Sequence, residues 1–139
     1  MRDELRVAAT IENLRTISDF VRGAGRRLRL SEDVSFDLEL AVEEAAANIV
    51  GHAYGPDRAG DIEVVIETTG HALRITVTDW GLPFHADPSY LHVNVPLEAR
   101  AKGGMGVLLI DRSMDSVTRQ AAAEPGGPNV LTMVKNVGP

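Results

Sequence analysis

Glu44, Asn48 and His52 recur at four-residue intervals in LAVEEAAANIVGHAYG, residues 40–55. An α-helix completes a turn in about 3.6 residues, so this spacing lays a carboxylate, an amide and an imidazole along one stripe. Such a stripe can hold a ligand. Taken alone it is more simply the polar side of a helix whose other face, Leu38, Val42, Ala45 and Ile49, packs inward.

Two further stretches weigh on that choice. In DWGLPF (79–84) an aspartate ends an apolar strand and a glycine follows two residues later. Asp79 offers an acceptor to an adenine amino group, and Gly81 carries no side chain to block a flat ring. In KGGMGVLLI (102–110) Gly103, Gly104, Met105 and Gly106 open an amphipathic helix, so bare N–H groups and the positive helix end can meet phosphate oxygens. Lys102 adds a point charge. Each signal is weak singly: strands often end in Asp-x-Gly turns, and a glycine-rich loop also serves as a hinge.

The elements that must position these residues follow from periodicity. LRVAAT (5–10) reads as a strand, and residues 11–28 as a helix with Ile11, Leu14, Ile17, Phe20 and Val21 on one face. Ser31 with Glu32 and Asp33 marks a helix start, and that helix runs to about His52. Strands at 62–68 and 72–79 join through a hairpin at TGH. The period fails from Gly81 to Gly104, a stretch carrying Pro83, Pro88 and Pro96 that reads as a functional flap at 82–103. A helix at 106–114 and strands at 116–122 and 129–136, turning at PGGP, complete the order. Paired strands separated by helices indicate an α+β fold, a two-layer sandwich whose mixed, mostly antiparallel sheet has its helices on one face.

The 139 residues, 44% of them hydrophobic, suffice for one core, and seven Pro and thirteen Gly are scattered without a linker or repeat. One domain over 1–139 is expected. The net charge is −6 and Arg26, Arg27 and Arg29 form the densest basic group, which argues against nucleic-acid binding. There is no cysteine, no long apolar run and no signal-peptide start, so a cytoplasmic protein without a membrane span is expected.

Taken together, the order and spacing of these motifs resemble the histidine-kinase-like ATPases, and within them the small anti-sigma factor serine kinases of bacterial partner-switching systems. LAVEEAAANIVGHAYG is similar to that family's asparagine-box helix, DWGLPFHADP to its first glycine box, GGMGVLLIDRSMDSV to its second, and GGPNVLTMVK to its closing strand. Pro83 replaces a second glycine found in many relatives, and Asn129 stands where the superfamily has threonine. The likeness spans nearly the whole chain.

The resemblance implies a Bergerat-type ATP-binding fold with ATP and Mg²⁺ as ligands. It casts Glu44 as the base that accepts a proton from an attacking hydroxyl, and Asn48 as a ligand of the metal that bridges the triphosphate. His52, Asp79, Gly81, Lys102, Gly103, Gly104, Met105, Gly106 and Asn129 are its nucleotide-binding positions, His52 being equally readable as a structural histidine. The implied activity is an ATP-dependent serine/threonine protein kinase that phosphorylates an anti-anti-sigma protein of the STAS type and sequesters a sigma factor. Homodimerisation is open. The alternative is a nucleotide-responsive binding module that transfers no phosphate.

Overall fold

The computed structural model describes residues 1–54, 59–82 and 110–137. Five strands form one sheet in the order β1-β2-β3-β5-β4: β1 is Arg2–Ala8, β2 Asp61–Thr69, β3 Ala72–Asp79, β4 Ser116–Gln120 and β5 Asn129–Asn136. All four pairings are antiparallel. Two helices, α1 (Ile11–Arg27) and α2 (Glu32–Asn48), pack on the sheet.

The core lies between these layers. Ile17 and Val21 of α1 and Leu38, Ala41, Val42, Ala45 and Ala46 of α2 meet Ile62, Val64 and Ile66 of β2, Leu73, Ile75 and Val77 of β3, and Met133 of β5. Alanines at 41, 45 and 46 let α2 lie close to the strands, which explains why so alanine-rich a helix is buried.

Local chemistry sets the element ends. The Thr10 hydroxyl accepts the Asn13 N–H and caps α1, and the Ser31 hydroxyl accepts the Val34 N–H and caps α2. The expected strand at 5–10 therefore ends at Ala8. It begins at Arg2 because pairing with β2 recruits the charged residues Arg2, Asp3 and Glu4, which periodicity alone had left out. Ile11, expected on the inward face of α1, is 74% exposed; it is the first residue of the helix, directly after the Thr10 cap, and the buried positions of α1 begin at Ile17. The β2–β3 hairpin has a two-residue loop, Gly70-His71, with Gly70 at φ 60° as such a turn requires. β4 stops at Gln120, short of the expected 122, because the Ala122 N–H donates to the Asn129 side chain instead of a strand partner.

Two features frame a cleft between α2 and the sheet. α2 passes at Asn48 into a π-helical turn, Ile49–Ala53, a rare distortion that is frequent at functional sites. Residues 110–113 are helical, and Lys135 Nζ holds their end by donating to the Ser113 carbonyl (2.8 Å) while pairing with Asp37 of α2 (3.1 Å).

Candidate functional site

A cleft opens between the C-terminal end of α2 and the sheet. Ala45, Asn48 and Ile49 form one side, and Val77 and Asp79 of β3 with Asn129, Val130 and Leu131 of β5 form the other. Ile110 closes one end. The walls are mostly apolar, and carboxylate and amide groups are set into them at few points. This is the usual composition of a small-molecule pocket.

The strand side is held by a dense set of hydrogen bonds. Asp79 ends β3 and is 7% exposed. Its Oδ1 accepts the Gly81 N–H and the Asn129 amide, both at 2.9 Å. Asn129 also donates to the Gly81 carbonyl and accepts the Ala122 N–H, again at 2.9 Å each. Among the described residues no donor is bonded to Oδ2, and a carboxylate oxygen can only accept.

The packing at Gly81 itself leaves no room for a side chain. A Cβ built there would lie 2.3 Å from the Ala53 carbonyl oxygen and 2.6 Å from its carbon. The loop after β3 therefore presses against the π-helical turn, and the Leu82 N–H bonds the same Ala53 carbonyl at 2.7 Å. Absence of a side chain at 81 joins the strand side of the cleft to the helix side.

Tyr54 makes a second joint. Its hydroxyl accepts the Trp80 N–H (2.9 Å) and donates to the Asp61 carbonyl (2.8 Å), tying the end of the turn to β2 and β3. Burial pushes this phenol above its ordinary pKa, with the Trp80 hydrogen bond opposing. Gly60 makes way for the ring, since a Cβ there would fall 2.0 Å from it. Outside the joint, the Arg6 guanidinium lies over the Trp80 ring at 4.4 Å and pairs with Asp61 at 3.0 Å.

The helix side is built differently. Asn48 borders the cleft and is half-buried. Glu44, one turn earlier, is half-buried too, but it borders a shallow groove between α1 and α2, beside Arg15, Ser18 and Arg22. His52 is exposed on the π-helical turn and does not border the cleft. The structure thus brings Asn48, Asp79 and Asn129 to one cavity, with Gly81 directly behind it and Glu44 on the adjoining face. Lys102, Gly103, Gly104, Met105 and Gly106, and the flap from 83 to 103, lie outside the described residues.

Three contributors escaped the sequence reading. Tyr54 directly follows the helix motif, yet its partners Trp80 and Asp61 are remote in the chain. Arg119 of β4 lines the cleft mouth, paired with Asp111 at 3.1 Å. Its neighbours in β4 alternate like any edge strand, and no local signal distinguishes it. Ile110 closes the cavity from a segment read only as the interior of a helix.

Residues 7–135 match the histidine kinase-like ATPase domain. The chain belongs to that family. A serine-protein kinase RsbW from Bacillus mycoides is 30% identical over 119 residues, covering 82% of this chain and 74% of the relative. A namesake from Oceanobacillus iheyensis is 29% identical, covering 82% and 75%. Together these relatives and the family match support a serine/threonine kinase built on a nucleotide-using ATPase domain.

Among solved structures, the RsbU and RsbW domains of a Mycobacterium tuberculosis protein align at a TM-score of 0.69 with 19% identity. The alignment covers 97% of this chain and 32% of that one, so the chain spans about a third of the longer protein. A histidine kinase domain from a blue-light activated kinase of Erythrobacter litoralis aligns at 0.54 with 16% identity, covering 76% and 45%. At these identities the two structures bear on the fold, and they agree with the antiparallel sheet and one-sided helices found here. Among the described residues no helix is long and apolar enough to cross a membrane.

Proposed function

We propose that this kinase binds Mg-ATP in the cleft, phosphorylates a serine or threonine of an anti-anti-sigma protein of the STAS type, and sequesters a sigma factor in the cytoplasm. One observation carries the nucleotide part: a mostly apolar cavity ends in one buried carboxylate whose Oδ1 is saturated by the protein. The Asp79 Oδ2 atom accepts from the adenine amino group, and Ile49, Val77 and Ile110 contact the ring. Lys102 and the glycines at 103, 104 and 106, by their residue types, would supply positive charge and N–H donors to the phosphates.

The side chains suit a magnesium ion held mainly by its substrate. The Asn48 amide oxygen is a hard neutral donor at the cleft edge, and among the described residues no group of three His, Asp or Glu could hold a metal unaided. Mg²⁺ commonly takes one or two protein ligands plus phosphate oxygens. When bound, the ion neutralises charge on the triphosphate. The Glu44 carboxylate takes the proton from the partner's hydroxyl as its oxygen bonds to the γ-phosphorus, the bond to ADP breaks, and the phosphate ester forms.

A second reading has its own observation. Glu44 opens on the groove between α1 and α2, not on the cleft that holds Asn48 and Asp79. In that reading the protein captures a partner in response to nucleotide and transfers no phosphate. The deciding experiment pairs titration calorimetry of Mg-ATP with labelling of the purified partner by radiolabelled ATP. Binding with labelling supports the kinase; binding of both nucleotide and partner without labelling supports the module. No heat and no thermal stabilisation at millimolar Mg-ATP rejects the nucleotide site itself.

A further inference from the structure

Asn129 opens β5 directly across from Asp79, the last residue of β3. It is 9% exposed. Its amide nitrogen donates to Asp79 Oδ1 and to the Gly81 carbonyl, and its oxygen accepts the Ala122 N–H, all at 2.9 Å. The opposite amide orientation would set an oxygen against two acceptors and an NH₂ group against a donor, so the partners dictate the orientation. Both amide hydrogens are consumed inside the protein.

We propose that Asn129 is a positioning residue that leaves Asp79 Oδ2 as the one acceptor offered to the base, and that it donates no hydrogen bond to the nucleotide. The proposal rests on reading the cleft as a nucleotide site. Two donors converge on Asp79 Oδ1, one from Asn129 and one from the Gly81 N–H. They hold the carboxylate plane and leave Oδ2 outside this pair of bonds. The bonds to Gly81 and Ala122 anchor Asn129 itself, so the loop after β3 and the segment after β4 are clamped at one point. With both Asn129 amide hydrogens spent, the Asp79–Asn129 pair offers the base acceptance only. That chemistry suits an exocyclic amine on a purine and disfavours a 6-oxo group, which would need a donor.

The test separates action through Asp79 from direct contact. Titration calorimetry of the whole chain compares Mg-ATP with the Mg complex of purine riboside triphosphate, which lacks the 6-amino group, for wild type and for Asn129→Ala. A positioning role predicts that Asn129→Ala weakens ATP roughly tenfold or more, a loss appropriate to a hydrogen bond on a charged group. The same variant changes binding of the amine-free nucleotide less than about twofold, because the interaction it supports is already missing. Equal losses with both nucleotides overturn the proposal, since they are the mark of a direct contact. No change with either overturns it as well.

Asn129→Thr and Asn129→Val give a comparison robust to folding, because both shapes suit a strand start and differ by one hydroxyl. The hydroxyl of the Thr variant can still donate to Asp79. ATP affinity close to wild type in Asn129→Thr and lost in Asn129→Val supports the role; indistinguishable affinities overturn it. If wild type binds neither nucleotide, the reading of the cleft falls with the proposal, an outcome distinct from binding with equal losses.

Discussion

The two sides of the cleft follow opposite principles. On the strand side Asp79, Gly81 and Asn129 are locked by four hydrogen bonds of 2.9 Å among themselves and Ala122, and each is buried. On the helix side Glu44 and Asn48 are half-exposed and make no side-chain hydrogen bond to a described residue. The difference is what the two proposed tasks would call for. Recognising a base gains from a carboxylate that loses no freedom on binding, whereas groups serving a metal or moving a proton are completed by what binds. Gly81 and Tyr54 join the sides, so the fixed half sets the distance at which the looser half works.

The largest expected effect tests the looser side. Glu44→Gln keeps size and polarity and deletes the base, so labelling of the partner falls by roughly 10²-fold or more while the Mg-ATP dissociation constant stays within about twofold of wild type. Labelling at the wild-type rate removes the base assignment. Labelling and nucleotide affinity falling together would erase the contrast between the sides, because Glu44 would then contribute to binding.

Next in size is the joint. A methyl at Gly81 collides with the Ala53 backbone, which cannot rotate away as a side chain could. Gly81→Ala is expected to cost about 1–3 kcal/mol of stability and to weaken Mg-ATP binding, read by denaturant unfolding and calorimetry. Unchanged stability would show that the loop after β3 need not press on the turn. Tyr54→Phe is milder: it removes the partner of the Trp80 N–H and of the Asp61 carbonyl, for about 1–2 kcal/mol. A raised folded-state pKa means that the Tyr54 contribution is complete below the ordinary phenol value and is lost as pH rises through the folded value. Stability of wild type should therefore decline in alkali more steeply than that of Tyr54→Phe.

These residues also show where sequence is readable and where it is not. The end of β3 was legible because ALRITVTD is β-branched up to Asp79, and the hairpin because a glycine sits between two such runs. The helix starts after Thr10 and Ser31 fall where expected, whereas α2 ends at Asn48, four residues before the expected His52, where the π-helical turn begins. The α2 stripe was legible as spacing, but which groove each member faces depends on α1, which spacing cannot report. Asn129 was legible as a nucleotide-side position from its place in a motif; that its amide donates to Asp79 and Gly81 follows from the β3–β5 pairing, which joins Asn129 to a residue 50 positions away in the chain. The close approach of Gly81 to Ala53 was hidden likewise, because the two meet only after α2 and β3 pack. Local chemistry wrote the elements into the sequence, whereas the joints between them come from tertiary approach.

The smallest effect supplies a control remote from both sides. α1 ends with Arg29 at φ 54°, its N–H bonded to the Arg26 carbonyl and the Leu30 N–H to the Gly25 carbonyl, the pattern of a Schellman ending. That left-handed position favours glycine, and an arginine there is strained by roughly 1 kcal/mol. Part of the gain from Arg29→Gly is offset by the greater freedom of glycine in the unfolded chain. A net stabilisation of up to about 1 kcal/mol is expected, seen as a small rise in melting temperature. Because the turn is remote from the joints at Gly81 and Tyr54, nucleotide affinity should not move. If Arg29→Gly raises stability and tightens Mg-ATP together, rigidity at the cleft is a property of the whole sheet-and-helix packing and not of the local lock around Asp79. If stability rises while affinity is constant, the strand side owes its order to its own four hydrogen bonds.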